Sequence, residues 1–301
     1  MNTRYILAHG DLDGAASVVL IERLNSVADT HIIPCQYSNI DNEIETILKI
    51  EDLSNIELFI ADICPSKKVL EKIHQSNLAA KILFDHHITK KGHLSKYEWC
   101  FFDENECACS LYYKLFCRDI VDDVLDEFVW CVKAHDLWKL DSPYRSRGED
   151  LNRLYQFLGF RRFIKQYKYD LIYDLSPAAV DVIDILKENE DLSVKKTLRT
   201  QMSSPNRYID YRGHKFAIIQ SGEYISRIGN DALGSEYGED LDYVAIVSIN
   251  NVVSLRSRGD IDVSEIAKRF GGGGHKSAAG FSTNIRNIIE QRISELFMSD
   301  P

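Results

Sequence analysis

The chain has 301 residues, of which 45% are hydrophobic and 27% are charged, and its formal net charge is -10. This composition is that of an ordinary soluble globular protein and leaves room for two domains. The acidic balance argues against a protein that coats duplex DNA, because such a protein needs a basic face. A small phosphorylated substrate is not excluded, since metal ions or a local cationic site can hold its phosphates.

Strands and helices alternate in the first part of the chain. Short apolar runs predict strands at about 4–8, 31–36, 57–61, 81–84 and 98–102. Apolar residues at helical spacing predict helices at about 15–24, 41–50, 66–76, 108–117 and 120–134. This alternation predicts an α/β domain over residues 1–142, with a mainly parallel sheet flanked by helices.

The rest of the chain shows two further regions. Helical patterns dominate residues 143–205, which are predicted to form a helical linker. Strands are then predicted at about 215–220, 243–249 and 251–256, and helices at about 224–236, 262–270 and 285–297. Residues 206–301 are therefore predicted to form a second, smaller α/β domain.

Cysteine usage and the length of apolar segments bear on location. The seven cysteines are odd in number and contain no C-x-x-C pair, so we expect reduced thiols in a cytoplasmic protein. Cys107-Ala108-Cys109 is interpreted as small buried residues at a helix start, because no second Cys/His pair completes a zinc site. Neither a signal peptide nor a membrane span is predicted, since every apolar run is too short.

Aspartate and histidine side chains follow three of the predicted strands. His9-Gly10-Asp11-Leu12-Asp13-Gly14 follows the first strand, Asp62 the third, and Asp85-His86-His87 the fourth. Because the carboxyl ends of parallel strands meet at one crevice, these side chains are expected to converge there. Carboxylates with imidazoles suit Mn²⁺ or Mg²⁺, and two ions ~3.5–4 Å apart would offset the repulsion among the carboxylates. Such pairs of ions hydrolyse phosphate esters.

Other interpretations of these residues stay open. Asp13 is also placed to cap the helix predicted from Ala15. An EF-hand loop is excluded, because its final glutamate would fall at Leu20. Asp136 is a fourth acidic candidate at the end of a predicted helix, and on its own it would be interpreted as a polar helix-end residue beside a core aromatic.

A glycine-rich segment follows the helix predicted at 262–270. It differs from a P-loop, because His275 stands where that motif requires glycine and because a helix rather than a strand precedes it. The bare backbone of the four glycines at 271–274 could bring amide groups close to a phosphate, to which His275 would add a donor. Arg256, at the end of a predicted strand, could hold a phosphate with two hydrogen bonds, or it could be an ordinary exposed arginine.

Taken together, these motifs resemble the DHH phosphoesterase superfamily, in the branch with a C-terminal DHHA1 domain. Asp85-His86-His87 is similar to the motif that names the family, residues 9–14 to its first motif, Asp62 to its second and Asp136 to its fourth. Residues 254–257 and 271–280 resemble the DHHA1 signature. The opening motif and residues 85–89 look most like the nanoRNase B type.

The resemblance implies residue roles around two divalent metal ions. One ion would be held by His9, Asp11 and Asp62, and the other by Asp13, Asp62, His86 and Asp136. Asp85 would orient the histidines beside it, and His87 would contact the scissile phosphate. The second domain would contribute the substrate contacts Arg256, Ser257, Gly272, Gly273, Gly274 and His275. The ions would be Mn²⁺, or alternatively Mg²⁺ or Co²⁺, and the active site would lie in the cleft between the domains.

The implied activity is hydrolysis of short single-stranded oligonucleotides to mononucleotides by a hydroxide that the two ions activate. Alternatives on the same scaffold are a phosphatase for the 3′,5′-bisphosphate nucleotide pAp and a phosphodiesterase for linear dinucleotides such as pApA. A non-catalytic nucleotide-binding sensor, from another class, is disfavoured because every expected ligand is present. Neither duplex DNA nor a membrane is expected as a partner, and a homodimer stays open.

The predicted linker carries charged and aromatic residues that could bind a second base. They are Arg145, Arg147, Tyr155, Phe160, Arg161 and Arg162. The alternative, an ordinary solvated helical linker, is favoured.

Overall fold

The structure is a computed structural model that describes residues 2–24, 29–117, 122–169, 177–202, 206–248 and 251–284, with Asn287, Ile289, Glu290 and Ser294. It divides into two compact units, Met1–Asp184 and Ile185–Pro301. Most of the helix predicted at 285–297 lies outside the described residues, as does the last residue of the strand predicted at 243–249. The domain limits predicted at 142 and 205 stay a prediction.

The first unit contains a five-stranded parallel sheet, which confirms the predicted α/β architecture. Its strands are β1 (Thr3–His9), β2 (Asp29–Cys35), β3 (Ile56–Ala61), β4 (Ala80–Asp85) and β5 (Cys100–Phe102). Their order across the sheet is β2-β1-β3-β4-β5, with every neighbouring pair parallel. The chain goes from β1 to one side and then returns to β3 on the other, so a switch-point crevice opens where β1 and β3 end.

Helices pack on both faces of this sheet. They are α1 (Leu12–Leu24), α2 (Ile40–Ile47), α3 (Lys67–Gln75), α4 (Lys91–Leu94), α5 (Ala108–Phe116), α6 (Asp123–Asp136), α7 (Arg145–Leu158) and α8 (Phe160–Tyr169). Side chains alternate along β1, so Ile6 and Ala8 join the core under α1, α5 and α6, whereas Leu7 joins the core under α2 and α3. Burial on both faces explains why the strands are nearly continuous apolar runs.

The second unit contains a mostly antiparallel sheet. Helix α9 (Pro177–Gln201) runs across the boundary into it. The sheet comprises β6 (Tyr208–Ile209), β7 (Lys215–Gln220), β8 (Tyr243–Ser248), β9 (Val252–Ser257), β10 (Gly273–Gly274) and β11 (Ala278–Ser282). Its order is β10-β11-β9-β8-β7-β6, and its helices are α10 (Ile225–Gly234) and α11 (Val263–Arg269). The sequence does not predict β10 and β11, because glycine and alanine give no apolar alternation.

No described helix combines the length and the apolar character that crossing a bilayer requires.

Candidate metal centre

The six predicted metal ligands come together at the carboxyl edge of the parallel sheet. Three groups of side chains each place their nitrogen and oxygen atoms within 4.8 Å of one another. They are His9 with Asp11 and Asp62, Asp13 with His86 and Asp136, and Asp62 with Asp85, His86 and His87. Asp62 belongs to two of these groups, and the strand ends predicted to converge therefore do so.

The first group is shaped by the turn between β1 and α1. His9 Nδ1 lies 2.5 Å from Asp11 Oδ2 and 3.4 Å from Asp62 Oδ2. The other oxygen of Asp11 accepts a hydrogen bond from the backbone N–H of Gly14 at 3.0 Å. A Cβ at Gly14 would lie 2.2 Å from the backbone oxygen of His9, so only glycine lets α1 begin this close to the strand.

Asp62 occupies the middle of the centre in a strained backbone conformation. Its φ is 60°, a left-handed value that costs an aspartate about 1 kcal/mol or more. Its N–H donates to the carbonyl of Phe84 at 3.0 Å, which continues the β3–β4 ladder and fixes this conformation. The side chain is 1% exposed, and among the described residues neither carboxylate oxygen makes a hydrogen bond of good geometry.

His86 joins the two acidic groups. Its Nε2 lies 3.3 Å from Asp62 Oδ1 and 3.3 Å from Asp136 Oδ2. Asp136 is the last residue of α6, as the sequence predicts. Its Oδ2 is also buried without a hydrogen bond of good geometry within the described part of the chain. Divalent cations bind buried carboxylate oxygens that have no hydrogen-bond donor of their own, together with imidazole nitrogens. This set of donor atoms therefore fits Mn²⁺ or Mg²⁺.

Asp13 is held by a helix far away in sequence. Its two oxygens accept hydrogen bonds from the backbone N–H groups of Ala108 at 2.6 Å and Cys109 at 2.8 Å. These are the first amides of α5, which confirms that Cys107-Ala108-Cys109 begins a helix. The alternative in which Asp13 caps its own helix is wrong, because α1 already begins at Leu12 and the carboxylate turns towards α5 instead.

Asp85 fixes the two histidines that follow it. Its Oδ1 accepts from the backbone N–H of His86 at 2.8 Å and of His87 at 3.2 Å. The same oxygen lies 2.7 Å from Nδ1 of His87, which sets the orientation of that ring. Asp85 is fully buried, so this contact is shielded from water.

The titration behaviour of the centre reflects crowding of carboxylates. Burial lowers the pKa of His9, but Asp11 and Asp62 outweigh it and raise that pKa to about 11. Burial raises the pKa of Asp136 to about 6, even though the nearby His86 lowers it. Burial together with Asp62 and Asp136 likewise raises the pKa of Asp13. Carboxylates that disfavour each other's charge in this way are relieved by divalent cations.

Arg145 supports the end of α6 that carries Asp136. Its Nη1 donates to the carbonyl oxygens of Ala134 at 3.2 Å and His135 at 3.0 Å, and its guanidinium lies 3.9 Å from the centroid of the Trp138 ring. Arg145 is only 7% exposed. Its charge therefore caps the carboxyl end of α6. The hypothesis that Arg145 binds a second nucleobase requires this charge to be available, and here it is not.

The substrate contacts predicted for the second unit lie on β9 and at the β10 edge of the same sheet. Arg256 is half-buried and its Nη2 donates to Ser226 Oγ at 2.8 Å, and burial lowers its pKa to about 10. Ser257 Oγ donates to the carbonyl of Ile261 at 2.7 Å. Gly273 and Gly274 pair with β11, and His275 begins the turn between those strands. A Cβ at Gly272 would lie 2.0 Å from the oxygen of Gly280, so close strand pairing also requires glycine at this position.

Two residues beside the centre were not among the predicted site residues. Tyr37 follows β2, and its ring centroid lies 6.0 Å from that of His9. Lys90 closes the short 3-10 turn Ile88–Lys90, and its Nζ lies 5.3 Å from the centroid of the Tyr37 ring. The rule that selected the other residues, position just after a strand, would also have selected Tyr37.

Comparison with known proteins identifies relatives of both units. Residues 223–296 match the family described as the DHHA1 domain. The chain is 29% identical over 316 residues to Oligoribonuclease NrnB of Bacillus subtilis (strain 168), covering 99% of this chain and 77% of that protein. It is 25% identical to a 3′,5′-cyclic-nucleotide phosphodiesterase of Helicobacter pylori (strain ATCC 700392 / 26695), covering 97% of this chain and 98% of that protein.

A solved structure shares the fold. RecJ from Thermus thermophilus, crystallised in complex with Mn²⁺, superposes with a TM-score of 0.57. The match covers 99% of this chain and 53% of that chain, at 14% sequence identity.

Proposed function

The chain is a phosphoesterase of the DHH superfamily with a C-terminal DHHA1 domain, most similar to the nanoRNase B type, and on this premise we propose that it hydrolyses short oligonucleotides to mononucleotides. The observation that carries the proposal is the position of Asp62, which lies in one ligand group with His9 and Asp11 and also contacts His86, a member of the group formed with Asp13 and Asp136. The carboxylate of Asp62 lies between His9 and His86, at 3.4 and 3.3 Å from their ring nitrogens. Pairs of divalent cations ~3.5–4 Å apart are typical of enzymes that cleave phosphate esters, and Asp62 would contribute to holding both.

The protein's own residues would bind, orient and protect the reacting groups. His9, Asp11 and Asp62 would hold one divalent cation, and Asp13, Asp62, His86 and Asp136 the other. Mn²⁺ is proposed, with Mg²⁺ or Co²⁺ as alternatives, and such cations supply charge neutralisation and a lowered pKa of water. Asp85 would keep the ring of His87 directed at the scissile phosphate.

Further contacts to the substrate would come from the DHHA1 domain. Arg256 would bind phosphate oxygens after exchanging its bond to Ser226 for the substrate. Ser257, the glycines Gly272, Gly273 and Gly274, and His275 would line the same side of the substrate. The seven cysteines form no disulfide with one another, which supports a reducing, cytoplasmic location for this activity.

A second candidate substrate class follows from the second relative. The Helicobacter pylori protein matches over nearly its whole length and is named as a phosphodiesterase of 3′,5′-cyclic nucleotides. A cyclic phosphodiester presents the same scissile group to the metal centre as an oligonucleotide. The two functions are separated by product analysis, together with the pAp phosphatase and pApA phosphodiesterase alternatives.

A substrate panel with Mn²⁺ tests the proposal. It contains pAp, pApA, 3′,5′-cyclic AMP, RNA and DNA of two to five nucleotides, and a long single strand. We expect mononucleotide products from the two- to five-mers. Because loss of a residue that only supports a metal ligand costs about 10–100-fold, Asp11→Asn and His86→Ala should each reduce turnover by at least ~100-fold.

Asp29→Asn is the matched control for these variants. Asp29 is an exposed carboxylate at the amino end of β2, on the edge of the sheet away from the centre, so its loss should leave turnover within about two-fold. Unchanged turnover in Asp11→Asn and His86→Ala would show that the site is elsewhere. Release of inorganic phosphate from pAp with intact oligonucleotides would replace the proposal by the phosphatase alternative.

A further inference from the structure

Tyr37 and Lys90 form an aromatic–cationic pair at the rim of the metal centre. Tyr37 is 50% exposed, although one side of its ring faces His9 with the centroids 6.0 Å apart. The ammonium nitrogen of Lys90 lies 5.3 Å from the centroid of the same ring. A lysine ammonium group at this distance is attracted to the face of the aromatic ring, which favours this arrangement of the pair.

The backbone on both sides of the pair is fixed to the metal-binding loops. The N–H of Lys90 donates to the carbonyl of His87 at 2.8 Å. On the other side, the N–H of Gly10 donates to the carbonyl of Cys35 at 3.2 Å, two residues before Tyr37. The backbone that carries the Tyr37–Lys90 pair is therefore attached to two of the segments that deliver metal ligands, the turn after β1 and the loop after β4.

Lys90 differs from neighbouring lysines in its charge partners. In the described part of the chain no carboxylate lies within ion-pair distance of its ammonium group. The next residue behaves differently, because Lys91 Nζ lies 3.8 Å from Glu104 Oε1. Lys133, on the helix that ends at Asp136, is likewise paired, with Glu106 at 2.7 Å. A lysine that has no carboxylate partner and lies beside a metal centre is suited to bind an anionic ligand such as a phosphate.

We propose that Lys90 and the Tyr37 hydroxyl bind the phosphate that neighbours the scissile one, so that the enzyme favours short substrates with a terminal phosphate, such as pApA, over those without it, such as ApA. This inference rests on the proposed phosphodiesterase function. Lys90 contributes a charge-assisted hydrogen bond and Tyr37 a neutral one, while the tyrosine ring keeps the lysine in place. The metal ligands and His87 then act on the next phosphate along the chain.

Steady-state kinetics on pApA and ApA with Mn²⁺ test this assignment. Because a hydrogen bond to a charged group is worth about 1.5–3 kcal/mol, Lys90→Ala should raise KM for pApA about ten-fold or more with a smaller change in kcat, and leave ApA unchanged. Lys90→Arg should restore most of the affinity. Tyr37→Phe should give a few-fold loss on pApA, and Tyr37→Leu, which removes the ring under the lysine, should approach the loss in Lys90→Ala.

Lys91→Ala is the matched control. It removes the same charge from the adjacent position, and Lys91 also lies over an aromatic ring, that of Phe102 at 5.5 Å. We expect its KM for pApA to stay within about two-fold of the wild type. The salt dependence adds a readout that a structural role would not change. KM for pApA should rise less steeply with salt in Lys90→Ala than in the wild type, whereas Lys91→Ala should keep the wild-type dependence.

Equilibrium binding separates this inference from the proposed function. Binding of pApA and ApA is measured with Ca²⁺ in place of Mn²⁺, and chromatography verifies that the ligands stay intact. If the wild type hydrolyses pApA and ApA equally well, or if Lys90→Ala and Lys91→Ala behave alike, the phosphate contact is refuted and the phosphodiesterase stands. If the wild type hydrolyses nothing, the proposed function fails, and tighter binding of pApA that depends on Lys90 would still support the contact.

Discussion

Asp136→Asn should stabilise the protein in EDTA at neutral pH while it weakens metal binding. Asp136 ends α6 with its carboxylate 22% exposed and its Oδ2 3.3 Å from His86 Nε2. Burial raises the pKa of this carboxyl from 3.8 to about 6, against the attraction of His86. The ionised carboxylate is therefore worse accommodated in the folded protein than in the unfolded chain, and an asparagine of the same shape removes the charge.

The size and sign of the effect follow from this pKa. Each pKa unit corresponds to ~1.4 kcal/mol, so ionised Asp136 lowers the free energy of unfolding by roughly 1–3 kcal/mol once the coupling to His86 is considered. A carboxyl whose pKa is raised in the folded state destabilises at pH above that pKa. The penalty disappears as the pH falls towards the unfolded value, where both states hold the proton.

Urea unfolding of both proteins in EDTA measures the difference. At about pH 7.5, Asp136→Asn should unfold at higher urea than the wild type, and the gain should vanish near pH 4. Asp29→Asn, on the exposed far edge of the sheet, should show no such pH-dependent gain. Added Mn²⁺ should stabilise the wild type more than the variant. A variant that is less stable than the wild type in EDTA at neutral pH would refute the reasoning.

Three further substitutions test the packing and charge contacts around the centre. Gly148→Ala places a Cβ 2.3 Å from the backbone oxygen of Cys131, so α7 must move from α6 and thermal denaturation should show a loss of about 1–3 kcal/mol. Gly14→Ala places one 2.2 Å from a backbone oxygen and should abolish Mn²⁺ binding in calorimetry. Burial raises the pKa of Glu106, but the contact with Lys133 outweighs it, so the pKa is lowered. Glu106→Gln should therefore lower the free energy of unfolding in urea by ~1–3 kcal/mol at neutral pH. This loss should shrink as the pH falls below about 4.5.

Much of the centre could be predicted because it obeys a local rule. His9, Asp62 and Asp85 each stand at or just after the end of a buried strand, and apolar runs make such strands visible in the sequence. Parallel pairing then brings these ends together without further information. Asp136 followed from the resemblance and from its position at the end of a helix.

The contacts that could not be predicted are between residues distant in sequence. Asp13 accepts hydrogen bonds from amides at 108 and 109, and no pattern around residue 13 indicates which helix end it meets. The left-handed φ of Asp62 arises from its pairing with Phe84, which depends on the register of β3 against β4. The sequence pattern around Arg145 predicts an exposed cation on an amphipathic helix. In the structure Arg145 is buried and donates hydrogen bonds to the carbonyl groups at the end of α6.

The second unit shows a different reason for failure. Ala278–Ser282 is a strand that pairs with β9, but alanine and glycine dominate it and side-chain hydrophobicity gives no period of two. The glycine-rich segment consequently serves strand pairing as well as any phosphate contact. Close approach of Gly272 to the oxygen of Gly280 makes the glycine obligatory on packing grounds alone.

Counting bound manganese by electron paramagnetic resonance tests the dinuclear centre most directly. Titration of the metal-free protein with Mn²⁺ should give two bound ions per chain whose spectrum shows magnetic coupling, as expected for ions ~3.5–4 Å apart. Asp62→Ala, which removes the shared carboxylate, should abolish the coupled signal. A wild-type protein that binds a single uncoupled ion, or none, would contradict the arrangement proposed for these six side chains.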